Sequence, residues 1–170
     1  MAQTKIEWAT HSWNPVTGCS PVSDGCINCY AKRMANRLKG RCGYDKDNPF
    51  KVTLHPDRLE QPLRWKKPRM IFVCSMGDLF HEDVPDDFID QIFAVMALCT
   101  GHAFLTLTKR PERMRGYICD WQTPFRIAKA IDALIVDEQI KQLREEIRPI
   151  SGYPGYFISN MGTNSPIFNT

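Results

Sequence analysis

Residues 69–96 read RMIFVCSMGDLFHEDVPDDFIDQIFAVM. Arg69 to Ser75 enclose a continuous apolar run, the pattern of a strand covered on both faces and hence of a parallel sheet. A second pattern follows Pro85. Phe88, Ile92 and Met96 recur every four residues with Ile89 and Phe93 beside them, which predicts a helix starting near Asp86. Proline at the entry and Asp86-Asp87 at the positive end of the helix dipole suit such a start. A buried strand leading through a short loop into a helix is the beginning of a βα repeat.

Working outward, the repeat recurs. AFLTLT (103–108) reads as a strand, and KRPERM (109–114) opens a short helix. Upstream, KIEWA (5–9) is predicted as the first strand, and the segment to Gly18, broken by Asn14-Pro15, as loop. YAKRMANRLK (30–39) places Ala31, Met34, Ala35 and Leu38 on one helical face, with Gly40 in the usual C-terminal position. Residues 57–69 read as a short helix and a basic connector. Strands alternating with helices give an α/β class built from parallel βα units. Beyond them, Phe125, Ala128, Ile131, Leu134, Ile135 and Leu143 fit one long amphipathic helix over 124–147, and a Gly/Tyr-rich tail closes the chain. No repeat of fixed period occurs.

Bulk properties narrow the classes. A chain of 170 residues with 43% hydrophobic and 24% charged content is an ordinary globular composition. A net charge of +3 does not by itself mark a nucleic-acid binder. The N-terminus lacks a basic start and an apolar core, and no apolar run approaches the ~18 residues of a membrane span. A cytoplasmic setting without a membrane is the expectation. Clustered thiols there act as metal ligands or redox groups, and seven cysteines is an odd number for a disulfide set.

Three of those thiols lie in GCSPVSDGCINCY (18–30), spaced C-x6-C-x2-C. Three readings stand. Cys19, Cys26 and Cys29 with Cys42 would make a four-thiol zinc site. The same three alone would hold a 4Fe–4S cluster with one iron left open to a ligand, and Gly18 and Gly25 would allow close backbone approach. Cys26 and Cys29 alone would make a redox pair. Position bears on the choice, because loops that follow parallel strands gather at one face, where active sites are built. Ser75-Met76-Gly77-Asp78 and Thr108-Lys109-Arg110 belong to that face too. Asp78 is a candidate for the ammonium, and Lys109 or Arg110 for the carboxylate, of an amino-acid ligand such as the end of S-adenosylmethionine.

Other residues read more plainly. His81, Glu82 and Asp83 serve a substrate or cap the following helix, with capping preferred. Cys74 and Cys99 are expected to pack as small hydrophobes, and Trp8, Trp13 and Trp65 as packing residues rather than stacking platforms. Arg64, Lys66, Lys67 and Arg69 form a basic run that is either a solvated face or a nucleic-acid contact.

The phrases TKIEWATHSWNPVTGCSPVSDGCINCYAKRMANRL (4–38), KVTLHPDRLEQPLRWKKPRMIFVCSMGDLFHEDVP (51–85) and FLTLTKRPERM (104–114) resemble a phage-associated family. It is the three-Cys-motif, radical-SAM-like family labelled phage protein Gp-thirty-seven/Gp-sixty-eight. The resemblance runs from about Thr4 to Met114. It implies a partial parallel βα barrel of radical-SAM type and a 4Fe–4S cluster on Cys19, Cys26 and Cys29. It also implies S-adenosylmethionine on the open iron, cleaved by one electron to a radical that abstracts hydrogen from a substrate not named by the family. The superfamily's usual spacing is C-x3-C-x2-C; the longer first spacing here is this family's own.

After Met114 the resemblance stops where further strands would complete the barrel. IRPISGYPGYFISNMGT (147–163) is instead similar to the start of a NUMOD-type module, of the fourth kind, found beside HNH homing endonucleases. Ile150, Gly152, Tyr153, Gly155, Tyr156, Ser159, Asn160 and Gly162 carry that similarity. Together the two imply a composite: a truncated radical-SAM-like half (1–117), a helical linker (118–147) and a NUMOD-like fragment (148–170). Truncation would leave the enzyme inactive, or dependent on a partner protein that completes the barrel. The tail would contact DNA. The alternative is a zinc-stabilised nucleic-acid-binding module linked to a homing endonuclease.

Overall fold

The computed structural model describes residues 6–136. Its centre is a parallel three-stranded sheet of β1 (His11–Trp13), β4 (Met70–Val73) and β5 (Ala103–Thr106), in the order β1-β4-β5. The apolar run of 70–73 is the middle strand, as its composition demands: Ile71 and Val73 are fully buried. A second, antiparallel pair joins β2 (Val16–Thr17) to β3 (Thr53–Leu54), with Val16 opposite Leu54. The helices are α1 (Tyr30–Leu38), α2 (Asp86–Leu98), α3 (Pro111–Cys119) and α4 (Thr123–Val136). Single 3-10 turns cover 24–26, 56–58 and 61–64. The α/β class holds, and among the described residues the sheet is open, with no barrel.

The first strand is not where the sequence puts it. Residues 6–9 form a turn, and β1 begins at His11, in the segment read as loop. The reason is Trp13. Its side chain is completely buried and its indole N–H donates to the Arg58 carbonyl at 2.7 Å. That burial sets the register Trp13 opposite Val73. Asn14-Pro15 then ends β1 rather than marking a long loop. The short helix expected over 57–69 is likewise two 3-10 turns, each with a proline in its first positions.

The core is formed by Trp13, Val16, Ile71, Val73, Leu79, Phe80, Ile89, Ile92 and Val95. Both Cys74 and Cys99 pack into it as small apolar groups, and burial pushes each thiol up to about 12. A smaller cluster of Ala31, Ala35, Tyr44 and Met76 seats α1. Trp8 lies outside the core, exposed, with its ring 4.8 Å from Phe72. Trp65 is half-buried between the rings of His11 and His102, with the Arg69 guanidinium 4.7 Å above it.

Of the face that the pattern of α4 predicts, Ala128, Ile131, Leu134 and Ile135 are half-buried, Leu134 against the core, and among the described residues Phe125 alone departs. Phe125 is exposed, and Thr123 and Ile127 are buried. A polar network fixes the rotation. Asp90 of α2 accepts from the Tyr117 hydroxyl at 2.6 Å and from Arg126 Nε at 3.1 Å. Arg126 also donates to Asp120 at 2.6 Å and to the Thr123 hydroxyl at 2.7 Å. Arg126 therefore has to face α2, which carries Phe125 outward beside Trp121. The remainder of the long predicted helix and the NUMOD-like fragment lie outside the described residues.

Candidate functional site

Three parallel strands end at Trp13, Val73 and Thr106, and the loops that follow them meet at one face. The first carries the three cysteines, the second runs through Asp78 to Asp83, and the third is Leu107 to Arg110. Main-chain bonds pin the first loop to the second. Gly18 and Gly77 bridge in parallel, and the Gly18 amide donates to the Met76 carbonyl at 2.9 Å. Gly18 holds φ at +85°, and a Cβ there would lie 2.1 Å from the Lys51 carbonyl oxygen. The close approach that its lack of a side chain permits is thus to Lys51, just before β3.

Arg110 ties all three loops together. Only 7% exposed, it donates Nε to both oxygens of Glu82 at 3.0 Å and one η nitrogen to Asp78 at 3.3 Å. The same nitrogen lies 3.4 Å from Cys19 Sγ. The other donates to the Ser20 hydroxyl at 2.9 Å and to the Ser20 carbonyl at 3.3 Å. Burial opposes a charge on Arg110, but its bonds to Glu82 and Cys19 outweigh burial, and its pKa is raised. Glu82 is held down to about 2, first by its hydrogen bonds from Arg110.

Asp78 is 4% exposed and already saturated. Oδ1 accepts from the Phe80 amide and the Thr108 hydroxyl, at 3.0 and 2.7 Å. Oδ2 accepts from the Lys109 amide and Arg110, at 3.0 and 3.3 Å. A carboxylate offers about four lone-pair sites, so no acceptor site remains for a ligand ammonium. In this geometry Asp78 joins the second loop to the third. Lys109 is different. Its side chain is exposed and Nζ lies 3.4 Å from Cys26 Sγ.

The two thiols that face cations differ in environment. Burial raises Cys19 above the usual thiol range in spite of Arg110. Cys26 is lowered to about 7, by main-chain hydrogen bonds at Val22 and Ser23 first and by Lys109 after them. Cys29 occupies the N-cap of α1. All three are free and half-buried. Among the described residues, no three His, Cys, Asp or Glu side chains are gathered closely enough to hold a metal ion. The chemistry of the donor set suits a thiolate-bound cluster; the connecting residues 20–25 are exposed, but Ser20 is tied to Arg110 and His81. Cys42 stands apart. It follows the far end of α1, a helix of nine residues and roughly 13 Å of rise from Cys29.

Sequence reasoning missed the framework around these residues. His81 is no helix cap: it is 4% exposed, and its Nε2 is hydrogen-bonded to the Ser20 hydroxyl at 2.7 Å. Arg113 braces the same loop from α3, donating to the carbonyls of His81 and Val84. The signal available was a run of His81, Glu82 and Asp83 at a strand-to-helix crossing, opposite a loop holding Arg110. A cavity of about 450 Å³ lined by Gly43 to Asp45 and Lys51 to Leu54 contains none of the three cysteines.

Neither a curated protein nor a solved structure matches this chain. A family model does, over residues 3–149, which takes in all three loops and the whole of α4. The chain therefore belongs to the family described as "Protein of unknown function (DUF5131)".

Proposed function

We propose that this chain is a radical-SAM-like iron–sulfur protein, with Cys19, Cys26 and Cys29 as the ligands of a 4Fe–4S cluster and S-adenosylmethionine as its cofactor. The observation that supports it most is the meeting of three post-strand loops through Arg110, with a cation on two of the three thiols. Thiolate-ligated clusters are anionic, and hydrogen bonds to their sulfurs tune them. The contacts of Arg110 with Cys19 and of Lys109 with Cys26 support that role. When bound, the cluster and S-adenosylmethionine would supply the one-electron chemistry; the chain's own residues bind, orient and shield.

The residue roles follow from the hydrogen bonds. Lys109, exposed beside Cys26, is the cation for the carboxylate of the cofactor's amino-acid end. Arg110 and Asp78 hold the loops in register. Cluster binding requires the loop to bring the Cys19, Cys26 and Cys29 sulfurs closer than they stand here. Among the described residues β5 pairs with β4 alone, which leaves an edge where a further strand, from this chain or a partner protein, would extend the sheet toward a half barrel. Phage association and a cytoplasmic setting belong to the same proposal. No helix among the described residues is long and apolar enough to cross a membrane.

The zinc reading needs Cys42, and α1 separates it from the other thiols. Single substitutions distinguish the two. After anaerobic reconstitution with iron and sulfide, Cys19→Ala, Cys26→Ala and Cys29→Ala should each lose most of the bound iron, and Cys42→Ala should keep it. Loss of metal in the Cys42 variant to the same degree would overturn the three-thiol assignment.

A further inference from the structure

Between Gly25 and Tyr44 the chain carries five cations and no carboxylate. The net charge of the whole chain is only +3, so everything outside this stretch is net acidic. Lys32, Arg33, Arg37, Lys39 and Arg41 are all exposed, and none is in an ion pair with a described residue. The apolar side of α1 accounts for their direction: Ala31 and Ala35 face inward onto Tyr44 and Met76. Residues 30, 33, 37 and 41 follow helical spacing, so Tyr30, Arg33 and Arg37 lie in one stripe, about 6 Å of rise separating the arginines. Arg41 continues it past the helix end, donating to the Arg37 carbonyl at 3.0 Å. Tyr30, 61% exposed, stands at the head of the stripe, directly after Cys29.

We infer that this face of α1 binds single-stranded nucleic acid, its phosphates along Arg33, Arg37 and Arg41 and an unpaired base on the Tyr30 ring. A solvated helical face normally mixes signs, since opposite charges at i,i+4 stabilise a helix and like charges oppose it. Arg33 and Arg37 are such a like-charged pair. That arrangement suits a polyanion, which neutralises several cations at once and releases its counterions. The exposed aromatic ring favours a single strand over a duplex, because stacking needs a free base face. The stripe leads to the cysteine loop, so the bound strand would present a nucleotide there. That last link rests on the cluster reading; the binding surface does not.

The test is fluorescence polarisation of the full chain with a labelled single-stranded 15-mer, its duplex, and polyglutamate as competitor. Neutralising about four phosphates gives a log–log salt slope near −3, so affinity should fall about 50-fold between 50 and 200 mM salt. The double variant Arg33→Gln/Arg37→Gln keeps good helix formers on an exposed face. It should bind at least tenfold more weakly, with a slope shallower by about 1.4, and retain the parent's iron content. Tyr30→Leu should abolish the preference for the single strand. No salt-dependent binding at 50 mM would overturn the inference. So would parental affinity in the double variant, which would locate binding on the tail or on the Lys66-Lys67 run, and so would polyglutamate binding as tightly as the oligonucleotide. Iron retained without nucleic-acid binding would defeat this inference and leave the cluster proposal standing.

Discussion

Gly18 and Cys26 show how single residues set the site. A side chain at Gly18 would meet the Lys51 carbonyl at 2.1 Å in a left-handed backbone conformation. Gly18→Ala is therefore expected to destabilise the fold by at least about 2 kcal/mol, a fall of roughly 4–8 °C in Tm for a chain of this size. A calorimetric scan with Tm unchanged would show that the loop is not pinned there. Cys26, lowered to about 7, is deprotonated above that pH. In metal-free protein its alkylation by iodoacetamide should rise through a midpoint near pH 7, while Cys74 and Cys99, near 12, stay silent. Mass spectrometry of the labelled peptides across pH 5 to 10 checks this; a midpoint near the ordinary thiol value would count against the hydrogen bonds at Val22, Ser23 and Lys109. Spacing alone singles out the three cysteines, though among the described residues their side chains are not gathered closely enough to hold a metal ion. The saturation of Asp78 was not legible, because its four donors come from Phe80, Thr108, Lys109 and Arg110, partners that only the crossing of two loops brings together.

The elements are held by two buried polar networks. One centres on Asp78 and Arg110, both nearly inaccessible. Asp78→Asn keeps the shape and removes the charge facing a buried guanidinium, so a loss of about 3 kcal/mol is expected, read as a lower midpoint in urea unfolding. The other joins α2, α3 and α4 through Asp90, Tyr117 and Arg126. Asp90→Ala leaves a buried hydroxyl and a guanidinium without their acceptor, and a loss of about 3 kcal/mol is again expected, with the iron content of reconstituted protein unchanged. Helices α1, α2 and α3 and strands β4 and β5 were legible because their apolar periodicity is local. β1 was not, since only the burial of Trp13 against distant Arg58 reveals it. Nor was the exposure of Phe125 at the start of α4: hydrophobicity put it inside, and the Arg126–Asp90 pair puts it outside.

At the scale of the molecule, an open parallel sheet gathers three loops at the C-terminal ends of its strands, and Arg110 and Lys109 meet two of three thiols there. The α/β class and the common face of the loops could be read from the alternation of patterns. Three predicted strands point to an incomplete barrel, and among the described residues the sheet is open with no barrel. The first measurement is iron and acid-labile sulfide content with an absorbance spectrum, on full-length protein purified and reconstituted without oxygen. The expected result is about four irons and four sulfides per chain with broad absorbance near ~400 nm. A colourless protein that retains no iron, or that binds a single zinc ion, would contradict it.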